Sequence, residues 1–191
     1  MNLFYLDANP QKNAEYHVDK HVVKMPLEAA QIICTTHWIS RVIGTAPRPL
    51  DASELKVLRA AVITNECENI PYKPTHPNHP SVVWTRMHLS NFDWVLGYMY
   101  ALGDEYTHRY GKHHLAVEKC STIGYPLNIP TKGAVGVCSE KGWIPIINST
   151  FALAMPDEYK TDDPIQSYRA YYKGAKSELA AWKNRGVPEW W

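Results

Sequence analysis

The sequence predicts a mainly α fold: a compact single-domain helical bundle with long proline-rich loops and little or no sheet. Three observations carry that expectation. Apolar residues recur at spacings of three and four, as in Val18, Val22, Met25, Ala29 and Ile32. Capping side chains precede proline at Asn9-Pro10 and Asp163-Pro164, a pattern that opens helices. The 191 residues, 45% of them hydrophobic, suffice for one core.

Taken in order, Leu3–Leu6 is a short apolar run, either a small strand or a buried N-terminal arm. Asn9 caps a helix whose periodicity continues to about Ile39. Pro26 interrupts it, removing a backbone donor and crowding the previous turn, so the segment is one kinked helix or two. Residues 44–51, "GTAPRPLD", form a loop, and Ser53 opens a second helix that runs to about Glu68. Residues 69–81, "NIPYKPTHPNHPS", form a rigid loop. Residues 82–112 are helical, with a break near Ser90, where Ser90-x-x-Asp93 matches a capping box, and a stop at Gly111. Residues 121–150 read as loops with a strand or two. The last helix opens at Asp163 and runs to about Gly186, and the tail "VPEWW" packs an indole back onto the body.

No run is long and apolar enough to span a bilayer, and the first residues lack the basic segment of a signal peptide. Four cysteines without a CxxC pair suit free thiols in a reducing compartment, which points to the cytoplasm, of an infected host cell if the protein is viral. A net charge of +1 requires that any nucleic-acid surface be local. Walker, GxGxxG, GxSxG, HExxH and EF-hand motifs are absent, which removes the enzyme classes built on them.

The candidate site begins with a polar stripe, His17, His21, Lys24, Glu28 and Gln31, one position before the apolar stripe and turned from it by roughly 100°. A solvated face with a Lys24–Glu28 pair worth about 0.2–0.5 kcal/mol is the plain reading. Histidines bordering a core face favour a cleft instead, where imidazole, ammonium and carboxylate tune one another for acid–base work. In the proline-rich loop, His76 and His79, with Arg86 beyond them, suit phosphate or substrate. No third ligand follows at a metal signature spacing; no cofactor is required, and a metal stays open. Near the C-terminus, Arg169 and Lys173 line a basic stripe beside Tyr171, suited to a phosphate backbone, with Trp84 or Tyr171 stacking on a base. Arg109, Lys112, His113 and His114 form a further candidate anion patch.

Two segments, "DKHVVKMPLEAAQ" and "YRAYYKGAK", resemble the helical pyrimidine-dimer DNA glycosylase (endonuclease V) family of phages. The first also resembles small viral proteins with a DKHVVKM signature. The glycosylase resemblance implies a compact helical domain and a histidine seven residues before a catalytic glutamate, matched by His21 and Glu28. It also implies an aromatic C-terminal segment on DNA. The family's nucleophile is the α-amine of residue 2, exposed by removal of Met. Here residue 2 is Asn, a poor substrate for that removal, and Leu27 and Gln31 stand where the family has arginines. Lys24 or Lys20 would then supply the amine.

The resulting expectation is an enzyme acting on a pyrimidine in DNA by excision or base modification, with Glu28, His21 and Lys24 catalytic. His17, Lys20, Gln31, His76, His79, Arg86, Arg169 and Lys173 would contact substrate or phosphate. The alternatives are a transferase or hydrolase of a nucleotide or hypermodified base, and a non-catalytic binder of a nucleotide or partner. The partner is nucleic acid or nucleotide in the enzymatic readings, and not a membrane.

Overall fold

In the computed structural model, which describes residues 2–131, 135–139, 142–146 and 150–191 (side chains for 2–131 and 150–191), Leu3–Leu6 is a buried arm. No neighbouring strand pairs with it there. The Asn13 side chain instead accepts from the backbone of Leu6 (2.6 Å) and Asp7 (3.1 Å) and donates to the Phe4 carbonyl (3.0 Å). With the Leu3 amide donating to Asn2 Oδ1 at 2.8 Å, those bonds let apolar Leu3 and Leu6 be buried without orphaned amides.

Helix α1, Pro10–Glu15, opens as expected, with Asn9 accepting from the backbone of Gln11 and Lys12. Helix α2, Asp19–Val42, follows after a break at residues 16–18, where Val18 is extended. Pro26 lies inside α2, so the chain divides before Asp19 and not at the proline. His17 therefore stands outside the helix that carries the rest of the polar stripe.

Helix α3, Ala52–Thr64, is capped by Asp51, whose carboxylate accepts from Ser53 and Glu54 while Glu54 returns a bond to the Asp51 amide. That true capping box displaces the imperfect Ser53 pattern by two residues. Asn65, at φ 55°, ends the helix before Glu68. Helix α4 is Pro80–Met87 and α5 is Leu89–Tyr110. The break falls at extended His88, whose ring accepts from the Ser90 amide, so His88 is the cap where the sequence suggested Ser90. Gly111, at φ 65°, stops α5 in the left-handed conformation that glycine adopts freely.

Short α6, Leu115–Lys119, precedes a two-stranded antiparallel ribbon, β1 (Val135–Ser139) and β2 (Gly142–Ile146). Helix α7, Pro164–Ala175, is capped by Asp163 and ends well short of Gly186. The Tyr159 ring lies 2.6 Å from where a Cβ on Gly174 would sit, so the close approach needs glycine. Beyond it a 3-10 turn, Ser177–Leu179, redirects the chain. The tail then folds back, Trp190 against Tyr16 and Trp191 against Trp182, at ring separations of 5.7 and 5.0 Å.

The core lies between α2 and α5. Trp38, Ile32 and Met25 from α2 meet Phe92, Trp94, Tyr98 and Leu102 from α5, all nearly or fully buried. Each large apolar side chain taken from water contributes about 1.5–3 kcal/mol. The aromatic content thus serves chiefly as core. Cys34, Cys67 and Cys120 are buried free thiols; the Cys138 side chain lies outside the described residues. Among the described residues no helix is long and apolar enough to cross a membrane.

A buried ionic hub ties the bundle's start to its end. Arg109 donates to Glu105 (2.6 Å), Asp19 (2.8 Å) and the Glu15 carbonyl (3.0 Å), and Arg185 donates to Glu105 (2.8 Å). Arg109 is therefore engaged inside the protein. His114 caps α6 and faces the Val23 carbonyl at 3.1 Å. The anion patch suggested at Arg109 and His114 is corrected on both counts.

Candidate functional site

Glu28 stands on the first half of α2, 9% exposed. Its Oε2 accepts from the Asn2 backbone nitrogen at 2.8 Å, and its Oε1 lies 3.0 Å from Lys24 Nζ. The Lys24 side chain is 68% exposed, so this ion pair opens to solvent. The N-terminal arm and one helical turn thus hold a nearly buried carboxylate from two sides.

His21 lies two turns before Glu28 on the same helix. Tyr172 Oη and His21 Nδ1 lie 2.5 Å apart and share a hydrogen bond. Burial lowers the ring's pKa to about 4, the charges of Lys176 and Lys24 push the same way, and Glu28 opposes them. His21 is therefore neutral at neutral pH. Phe4 stacks on it at 4.6 Å, Tyr171 on Phe4 at 6.2 Å, and Lys176 Nζ sits 5.1 Å over Tyr171.

His79 caps α4 through Nδ1, which accepts from the Ser81 amide, and so presents Nε2–H. Burial lowers its pKa first of all, His76 adds to that effect, and Glu28 counters it. The proline-rich loop is strapped along α2: the Thr75 amide donates to Thr35 Oγ1 (3.1 Å), Thr35 donates to the Gln31 carbonyl (2.7 Å), and Trp38 Nε1 donates to the Tyr72 carbonyl (3.1 Å). Gln31, half-buried, enters this arrangement through its backbone. His76 and His79 line a groove of about 750 Å³ between the loop and α3, with Leu58, Arg59, Val62 and Pro77.

Several sequence expectations are corrected. His17 is fully buried, with Nδ1–H on the Asn13 carbonyl (2.7 Å) and Nε2 accepting from Tyr98 (2.6 Å), so both nitrogens are occupied by the core. Arg86 is 3% exposed, its guanidinium bonded to the carbonyls of Ala46, Pro77 and Arg48 at 2.7, 2.6 and 2.6 Å. It clamps two loops and faces no substrate. Trp84 is buried 4.3 Å from the Phe151 ring and cannot stack on a base. Arg169 donates to the Leu6 carbonyl (2.9 Å) and lies 5.0 Å over Trp190, holding the arm and the tail. Lys20 and Lys173 are exposed and make no ion pair among the described residues. Tyr171 is half-buried at the edge of the His21 stack.

Phe4, Tyr172 and Arg59 were not singled out as site residues, and Asn2 entered only through the resemblance. Their roles come from contacts between distant segments, and only Tyr172, at core spacing with a hydroxyl in need of a partner, left any signal. Among the described residues no group of three or more His, Cys, Asp or Glu side chains is arranged to hold a metal ion.

The buried imidazoles predict a pH dependence of folding. His17 is held near a pKa of about 3 by burial and His21 near about 4, against roughly 6.5 in an unfolded chain. The unfolded state takes up these protons first, so stability is full above pH ~6.5 and falls as pH drops toward the folded values. Each histidine contributes a slope of up to about 1.4 kcal/mol per pH unit. Urea unfolding between pH 7 and 5 should show that fall, and His17→Gln should flatten it. An unchanged slope in the variant would refute the assignment.

In comparisons with known proteins, no family model, no curated protein sequence and no solved structure matches this chain.

Proposed function

We propose that the protein is an enzyme that excises a pyrimidine base from DNA, with Glu28 as its acid–base residue. The observation that carries this reading is the setting of Glu28: a nearly buried carboxylate between the Asn2 nitrogen and an ammonium at the solvent edge. Glu105, the other buried carboxylate, is enclosed by two arginines and serves structure. The Lys24 side of Glu28 instead opens to solvent, where a ligand can displace the ammonium.

Breaking the bond between C1′ and the base nitrogen leaves positive charge on the sugar, which a carboxylate stabilises. The base departs with the bonding pair and takes a proton from water; an amine that has given up its ammonium proton to water then attacks C1′ and passes a proton to Glu28, which returns it to O4′ as the C1′–O4′ bond breaks and leaves an iminium (Schiff base). Lys24 Nζ lies against Glu28, and so does the nitrogen of Asn2, which becomes an α-amine if residue 1 is removed. The second is the group that the glycosylase resemblance assigns. His21, neutral and at the edge of the site, suits the deoxyribose or a phosphate oxygen, and exposed Lys20 and Lys173 with half-buried Lys176 supply local positive charge.

Borohydride trapping on a duplex bearing one thymine dimer tests this directly. A covalent protein–DNA adduct is expected, and peptide mapping locates it. Full trapping in a Lys20→Ala/Lys24→Ala double variant assigns the amine to Asn2, and loss of trapping assigns it to lysine. Absence of any adduct with the wild-type protein overturns the covalent reading.

A further inference from the structure

The geometry points to Cys34 and Cys120 as a redox pair, which a hydroperoxide joins in a disulfide that staples α2 to the end of α6. This inference does not depend on the excision chemistry.

The two residues lie 86 positions apart in the chain, yet their sulfurs meet at 3.8 Å and both side chains are wholly buried. Cys34 stands on α2, beyond Glu28, and Cys120 caps the end of α6. A disulfide spans about 2.0 Å, so the sulfurs must close by about 1.8 Å, within reach of rotations about the two Cα–Cβ bonds. The helices are already held side by side. His114, at the start of α6, faces the Val23 carbonyl of α2 at 3.1 Å. Val117 fits against Gly103 of α5, where an added Cβ would lie 3.1 Å from its methyl groups. Cys67, another buried free thiol, meets no other sulfur among the described residues.

A buried cysteine is ordinarily an inert core filler. Two that share a hydrogen bond differ from one another. The bond between them holds the Cys120 thiol below its ordinary pKa and the Cys34 thiol above it. Cys120 is therefore the sulfur that attacks, and Cys34 the one that resolves. Access comes through α6, a helix of five residues with only Ala116 buried, and Lys119 and Ser121 on either side of Cys120 are exposed. So short a helix opens readily, and a small oxidant then reaches the sulfur.

The Cys120 thiol gives up its proton, and its sulfur attacks one oxygen of hydrogen peroxide. The O–O bond breaks, the departing hydroxide takes that proton as water, and Cys120 becomes a sulfenic acid. The Cys34 sulfur then attacks the Cys120 sulfur. The S–O bond breaks, and hydroxide leaves with the Cys34 proton as a second water. Two thiols lose two electrons and two protons, and one peroxide becomes two waters. The bridge closes the chain between residues 34 and 120 into a loop and so constrains the unfolded state.

The test exposes the reduced, folded full chain to hydrogen peroxide, blocks the remaining thiols with iodoacetamide and maps the peptides by mass spectrometry. A peptide pair linked through Cys34 and Cys120, lighter by two hydrogens and released by dithiothreitol, is expected. The oxidised chain should unfold at a higher urea concentration than the reduced chain, and dithiothreitol should reverse the shift. Cys34→Ala should lose the bridge and leave a sulfenic acid on Cys120, trapped by dimedone. Cys67→Ala should keep the bridge. Bridges that join Cys67 or Cys138, bridges between two chains, or separate sulfinic acids on Cys34 and Cys120 would overturn the inference. So would an oxidised chain no more stable than the reduced one. The wild-type map decides even where a cysteine variant fails to fold.

Discussion

Glu28→Gln is expected to lower excision of a thymine dimer by about 10²–10⁴-fold, the usual weight of a positioned acid–base group. The substitution keeps the shape of the side chain. Its amide oxygen can still accept from the Asn2 nitrogen, so the arm should stay in place. What is lost is the negative charge and the ability to take a proton. The Lys24 pair, exposed at one end, is worth about 0.2–0.5 kcal/mol, so its loss should move the thermal midpoint by no more than about 2 °C. The split between a large loss of rate and a small loss of stability identifies a chemical role. Lys24→Met separates the remaining possibilities, since it removes one candidate nucleophile and leaves the carboxylate and Asn2. Glu28→Gln retaining wild-type excision would remove Glu28 from the mechanism.

The start signals at Asn9-Pro10 and Asp163-Pro164 are local, each needing a few neighbouring residues, and both helices open there. The boundaries that shifted are set by contacts across the chain. Helix α7 stops at Ala175, where the turn Ser177–Leu179 redirects the chain, which no pattern in the helix itself announces. Pro26 was the residue most apt to break α2, yet the break comes at Val18, before the helix begins. In the site, the spacing of His21, Lys24 and Glu28 was legible because one helix carries all three. His17 misled because helical spacing was extended across the turn that precedes α2. Trp84, Arg86 and Arg169 misled for a related reason: side-chain type suggests a ligand, but the neighbours that occupy these groups come from residues 46–48, Phe151 and Leu6. The Asn2 contact joins residues 26 apart and has no sequence signature.

Arg109→Met should destabilise the fold by about 3–5 kcal/mol, because it leaves buried carboxylates short of a partner. The Arg109 and Glu105 side chains are wholly buried, so water cannot replace the lost bonds. Burial pushes the Glu105 carboxyl up, but hydrogen bonds from Arg185 and Arg109 outweigh it and hold the group below its ordinary value. Its stabilising effect is therefore present above the unfolded carboxylate range and is lost as pH falls through the folded pKa. Removing Arg109 leaves Arg185, itself only partly buried, as the remaining cation on Glu105. At about 2–4 °C per kcal/mol for a chain of this size, the midpoint should fall by roughly 6–20 °C. A Glu105→Leu/Arg109→Met double variant should recover much of that loss, since an apolar replacement of a buried pair is often neutral. The hub also fixes Asp19, the first residue of α2, and so sets the helix that carries His21, Lys24 and Glu28. The single variant should therefore lose excision before it unfolds, as the start of α2 loosens. If Arg109→Met melts within a degree or two of wild type, the hub does not anchor α2, and the geometry at Glu28 must be held by the Asn2 arm alone.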